Sequence, residues 1–175
     1  MIRVVLTGSE STGKTTLAAA LAPRYAGALV PEFVRGYAEA RGGMIEFSDH
    51  GPIARGQIAL EDEYIARGSE LLVQDTDLLS TVVYCRHYFG RCPDWIEAAA
   101  SARRPDLYLL CEIDVPWIAD GVRDRGDRRE EMQTLFRDEV RASGVRSVAL
   151  TGDEAARLAV AAAAIDSLVR GIASP

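Results

Sequence analysis

Gly8-Ser9-Glu10-Ser11-Thr12-Gly13-Lys14-Thr15 has the spacing G-x-x-x-x-G-K-[ST], a pattern suited to holding phosphate. The glycines allow backbone N–H groups to approach anionic oxygens closely and surround a β-phosphate. Lys14 can then reach the β- and γ-oxygens, and the Thr15 hydroxyl can ligate Mg²⁺. Gly8, Ser9, Glu10, Ser11, Thr12, Gly13, Lys14 and Thr15, with Thr16 behind them, are the candidate nucleotide-binding residues. Lys14 is also the only lysine among 20 basic residues. In a chain otherwise built with arginine, a compact ammonium kept at this position fits a point charge on phosphate better than a bidentate fork.

Carboxylates suited to the acceptor side of such a site occur twice. Asp75-Thr76-Asp77 follows the apolar run Leu71-Leu72-Val73, which places both acids at the carboxyl end of a strand, the edge where α/β sheets bind ligands. Asp75 is the candidate metal partner beside Thr15. If the strand continues, period-two geometry points Asp77 the same way, toward a substrate hydroxyl; the alternative is a helix cap. Glu32 follows a second short strand and is a candidate general base, with Arg35 and Tyr37 behind it as candidate substrate or phosphate contacts. The segment 120–129 carries four arginines, Arg123, Arg125, Arg128 and Arg129. A lid of this kind, over about 114–131, would bring cations to a transferring phosphoryl group and exclude water. Arg123 and Arg128 are the candidates from it, although an exposed, salt-laced helix start fits the same residues.

These residues need a scaffold, and the hydrophobic pattern supplies one. Strands are expected at 2–7, 28–30, 71–73, 106–111 and 146–150. Helices are expected at 14–25, 33–41, 52–68, 78–89, 94–102 and 132–143. A last helix, starting at Thr151 with Glu154 at capping-box spacing, should run to about Gly171. Short apolar strands separated by helices imply a parallel sheet covered on both faces. The fold class is therefore α/β, a three-layer sandwich of about five parallel strands.

With 175 residues and 48% hydrophobic content, the chain suits one domain, 1–175. A net charge of −6 argues against general nucleic-acid binding, and no apolar run is long enough to span a membrane. Cys85, Cys92 and Cys111 form neither a secreted disulfide framework nor a zinc pattern. With no targeting signal ahead of the first strand, the expected location is the cytoplasm. His50 and His87 are expected to be structural. The aromatic residues Phe33, Tyr37, Phe47, Tyr64, Tyr84 and Trp117 should be mostly core, with one or two facing a pocket.

Taken together, Gly8–Thr15, Glu32-x-x-Arg35-x-Tyr37, Phe47-Ser48-Asp49, Asp75-Thr76-Asp77 and Pro116-Trp117-Ile118-Ala119-Asp120-Gly121-Val122-Arg123 resemble the ribosylnicotinamide kinase domain of NadR-type proteins. The resemblance covers most of the chain and implies a P-loop kinase-like fold. It also implies ATP- and Mg²⁺-dependent phosphorylation of the 5′-hydroxyl of nicotinamide riboside to nicotinamide mononucleotide, in NAD salvage. In that scheme Glu32 or Asp75 takes or orients the hydroxyl proton, and Asp77 binds ribose. Lys14 and the lid arginines stabilise the phosphoryl group, and Trp117 belongs to the acceptor side. Some relatives carry an aromatic residue directly before the glutamate, where this chain has Pro31. The adenylyltransferase and DNA-binding parts of larger relatives have no counterpart in the sequence, so neither activity is expected. Homo-oligomerisation is compatible with the pattern. Two other readings fit the same residues: a P-loop kinase of another nucleoside or small alcohol, and a regulatory ATPase or nucleotide switch without an acceptor.

Overall fold

The computed structural model describes residues 1–116 and 128–173. Trp117, Arg123 and most of the expected lid lie outside the described residues.

Five strands, β1 (Ile2–Thr7), β2 (Ala28–Val30), β3 (Leu71–Asp75), β4 (Leu107–Cys111) and β5 (Ser147–Leu150), form one parallel sheet in the order β2-β3-β1-β4-β5. The helices between them are α1 (Lys14–Arg24), α2 (Phe33–Glu39), α3 (His50–Ala66), α4 (Leu78–Phe89), α5 (Asp94–Ala102), α6 (Arg129–Ser143) and α7 (Glu154–Ala173). A single 3₁₀ turn, Phe47–Asp49, leads into α3.

The central strands are mostly apolar, Arg3 and Gln74 excepted, because both faces of a parallel sheet are covered there. Alternate side chains therefore serve different cores. Val4, Leu6, Leu107 and Leu109 pack with Leu17 and Leu21 of α1 and Ile165 of α7. Val5, Tyr108 and Leu110 face the other way, against Leu79 and Val83 of α4 and Met132 and Phe136 of α6. A third cluster, around Ala54, Leu78, Val82 and Ile96, joins α3, α4 and α5.

The strand register fixes the site. Leu6 is level with Asp75, Thr7 with Leu110, and Val30 with Gln74. The segments after β1, β2, β3 and β4 thus leave the sheet at one edge, which gathers the loop of Gly8–Thr15, Glu32 and Asp75.

Element boundaries depart from the sequence pattern in three places that matter. α6 begins at Arg129 rather than Met132, because Glu130 and Glu131 in its first turn suit the helix dipole. Arg129 is therefore helical rather than part of a loop. α7 begins at Glu154 rather than Thr151: Gly152 turns the chain with φ 87°, and Asp153 Oδ1 caps by accepting the Ala156 N–H at 2.9 Å. β3 stops at Asp75, since Thr76 takes φ 69° in the left-handed region.

Candidate active site

The loop after β1 folds tightly against the sheet. Gly8 has φ 129°, and a Cβ there would lie 2.6 Å from the Cys111 carbonyl oxygen, so only glycine fits. Ser11 (φ 55°) and Gly13 (φ 80°) also take left-handed backbone, and Gly13 opens α1 without a side-chain cap. Backbone N–H groups at a helix start in such a turn form a concavity suited to anions. Lys14 curls back over it, its Nζ donating to the Ser9 carbonyl at 2.7 Å, and the Thr12 hydroxyl donates to the same carbonyl at 2.8 Å. Thr16 is exposed in the first turn of α1.

Three side chains beyond the loop hold this shape: Arg129, one of the four arginines of the expected lid, and Gln133 and Arg157, which do not stand out in the sequence. Gln133 Oε1 accepts the Ser9 N–H at 3.0 Å. Arg129 donates to the Ser11 carbonyl at 3.0 Å and to the Val115 carbonyl at 2.9 Å. Arg157, 2% exposed, donates to the carbonyls of Thr12, Glu112 and Gly152 and also pairs with Asp114. Arg128, preferred over Arg129 from the sequence, instead forks onto Glu131 at 2.6 and 2.9 Å. The start of α6 at Arg129 turns the two neighbours to different faces, and of the two it is Arg129 that donates to the loop.

Asp75 ends β3 beside the loop, with the Thr15 hydroxyl donating to its Oδ2 at 2.6 Å. Its Oδ1 is sealed from solvent and has no partner among the described residues. Burial pushes this carboxyl up; the Thr15 hydrogen bond opposes that, Glu32 adds to it, and Lys14 and Arg35 pull it back. A hydroxyl and a carboxylate with one unpaired oxygen suit a hard divalent cation. No group of three or more His, Cys, Asp or Glu side chains suited to a metal occurs among the described residues. Mg²⁺ held at Thr15 and Asp75 would therefore complete its shell with phosphate and water.

The left-handed turn at Thr76 separates the two aspartates, so the expectation that Asp75 and Asp77 point the same way does not hold. Asp77 caps α4, its Oδ1 accepting the Leu79 N–H at 3.0 Å, while its Oδ2 accepts the Tyr108 hydroxyl at 2.7 Å. Burial pushes the Asp77 carboxyl up to about 6, against the pull of Tyr108.

Glu32 is the N-cap of α2, its side chain only 8% exposed and 3.6 Å from Arg35. It lines a cavity of about 540 Å³ bounded by α2, the chain around Gly43–Ile45, α3 and α4. That volume suits a small organic ligand. Asp77, Ser80, Thr81, Tyr84 and Tyr88 supply one wall from a single face of α4. Tyr84 and Tyr88 lie with rings 6.2 Å apart and nearly parallel, and the Tyr84 hydroxyl donates to Glu10 Oε2 at 3.1 Å, linking cavity to loop. Arg35 and Tyr37 do not line it. Tyr37 instead donates to Asp49 Oδ1 at 2.8 Å, as does Arg41, so it ties α2 to the 3₁₀ turn. His50, expected to be structural, also lines the cavity, as do Tyr88 and Phe89, which the sequence pattern did not single out.

Comparison with known proteins agrees with this geometry. A family model described as an AAA domain matches residues 3–157. The trifunctional NAD biosynthesis/regulator protein NadR of Escherichia coli K12 is 32% identical over 139 residues, 76% of this chain and 34% of that protein. The NadR of Salmonella typhimurium is 30% identical over 151 residues, 83% of this chain and 37% of that protein. The chain thus spans about a third of the length of these curated relatives. Among solved structures, NadR in complex with NR has a TM-score of 0.72 at 24% identity, covering 86% of this chain and 44% of that one. NadR with NAD and AMP-PNP has a TM-score of 0.73 at 24% identity, covering 90% and 46%. Thymidylate kinase from Ehrlichia chaffeensis shares the fold at TM-score 0.63 and 15% identity, over 87% of this chain and 89% of that one. The chain belongs to the AAA-domain family, as a P-loop, kinase-like domain related to NadR.

Proposed function

We propose that this chain transfers the γ-phosphoryl group of ATP to the 5′-hydroxyl of nicotinamide riboside, giving nicotinamide mononucleotide and ADP. The observation that carries the proposal is the placement of Glu32: a largely buried carboxylate on the wall of an aromatic cavity, close enough to raise the Asp75 carboxyl that holds Thr15. The relatives whose structures hold NR and AMP-PNP support the substrate class.

In this reading the loop N–H groups and Lys14 hold the β- and γ-phosphates, and Arg129 adds a second cation at the loop. Mg²⁺, when bound at Thr15 and Asp75, would neutralise phosphate charge. Glu32 accepts the proton of the 5′-hydroxyl as its oxygen bonds to the γ-phosphorus and the bond to the β-phosphate oxygen breaks. Asp75, already engaged with Thr15, serves the metal side rather than the proton. The face of Tyr84 or Tyr88 suits a cationic pyridinium. Asp77 contributes to the ribose side with whatever lone-pair capacity Leu79 and Tyr108 leave. Arg123, Trp117, Arg35 and Tyr37 remain proposals from the family resemblance. Work in the cytoplasm and self-association belong to the same proposal; no helix among the described residues is long and apolar enough to cross a membrane.

Glu32→Gln tests the assignment of the base. The expected result is a fall in kcat of about 10²–10⁴ with little change in ATP binding. Unchanged kcat would remove Glu32 from the chemistry.

A further inference from the structure

The wall of the cavity far from the phosphate loop carries a polar group with a defined hydrogen-bonding sense. His50 opens α3, is 3% exposed, and sits among aromatic rings, 5.3 Å from Phe89 and 6.4 Å from Phe47 between centroids. Phe89 closes the 12-residue helix α4 that starts beside Asp77, so this wall stands about 16 Å along the helix from the sheet edge. His50 Nδ1 is 3.1 Å from the Glu46 carbonyl oxygen. A carbonyl only accepts, so Nδ1 carries the hydrogen and Nε2 presents a lone pair. Nε2 has no partner among the described residues. Burial holds the imidazole below its usual range, although the Glu46 and Phe47 backbone groups and Asp49 oppose this. The charged lining groups are Glu32 and Asp77, both acidic; no Lys or Arg lines the cavity among the described residues.

We propose that His50 is a specificity-determining residue that admits an acceptor ring bearing an uncharged, hydrogen-donating substituent such as a carboxamide and rejects one bearing a carboxylate. Nε2 accepts from an amide N–H₂. A carboxylate in the same place has no proton to give and meets a lone pair. This rests on the kinase reading above and adds to it the basis for choosing between two ribosides alike in shape.

The test is the ratio of kcat/KM for nicotinamide riboside to kcat/KM for the same riboside carrying a carboxylate, measured on the full chain with Mg·ATP. Wild type should favour the amide by about tenfold or more. His50→Leu and the shorter His50→Asn should lose about tenfold of that ratio, chiefly through the amide substrate, whereas His50→Gln, which restores an acceptor, should retain most of it. A wild-type ratio near one, or removal variants that lower both substrates alike, would overturn the role of His50 while leaving the kinase reading in place. Turnover of neither riboside by wild type would overturn both.

Discussion

Asp77 shows how one residue can combine a structural duty with a pH response. Its carboxyl, buried between Leu79 and Tyr108, titrates near 6 in the folded chain against an ordinary value of 3.8. A raised carboxyl binds its proton more tightly when folded. The stability it contributes is complete below about pH 4 and is lost as pH rises through 6. Asp77→Asn keeps a capping oxygen and removes the titration. Its melting temperature relative to wild type should therefore climb between pH 4 and 6.5, and a difference constant with pH would contradict the burial argument. Gly8 and Lys14 make the complementary pair. Gly8→Ala would drive a methyl group to 2.6 Å from the Cys111 carbonyl at φ 129°, so it should cost both stability and nucleotide binding. Lys14→Ala removes the hydrogen bond to the Ser9 carbonyl and the charge over the loop, so it should abolish phosphoryl transfer with an unchanged circular dichroism spectrum.

At the scale of elements, what was legible in the sequence was local. Apolar runs mark the central strands because burial on two faces demands them, and the phosphate loop is legible because its glycines meet backbone constraints within eight residues. The turn at Thr76 was not legible: one φ angle outside the strand region re-aims Asp77, and no residue type announces it. Thr151 and Glu154 mimic a capping box, but the turn at Gly152 gives the cap to Asp153. Of the aromatic wall of α4, Tyr84 is among the residues expected to be mostly core with one or two at a pocket, but Tyr88 and Phe89 stay hidden because helical spacing marks a core face and a cavity face alike. Arg157 left no trace because its partners are mostly backbone carbonyls, two of them far away in the chain at Thr12 and Glu112. Arg157→Met would leave those carbonyls without donors, so it should cost about 2–3 kcal/mol of stability. It should also raise KM for ATP more than it lowers kcat, since Thr12 loses its anchor. Thermal melting and steady-state kinetics on one preparation would show whether the two effects travel together.

Across the whole molecule, an acidic chain that binds a polyphosphate must separate its charges. A net charge of −6 coexists with a loop that Lys14 and Arg129 serve with positive charge and a cavity lined by Glu32 and Asp77. Both ends open from one edge of the five-stranded sheet, which suits a nucleotide and a second small molecule meeting over the loop. The most direct measurement of that arrangement is ADP release with Mg·ATP and a panel of nicotinamide riboside, nicotinic acid riboside, common ribo- and deoxynucleosides, and no acceptor. Turnover that depends on an acceptor and is greatest with nicotinamide riboside is the predicted result. ATP hydrolysis indifferent to every acceptor would contradict it and favour a nucleotide switch instead.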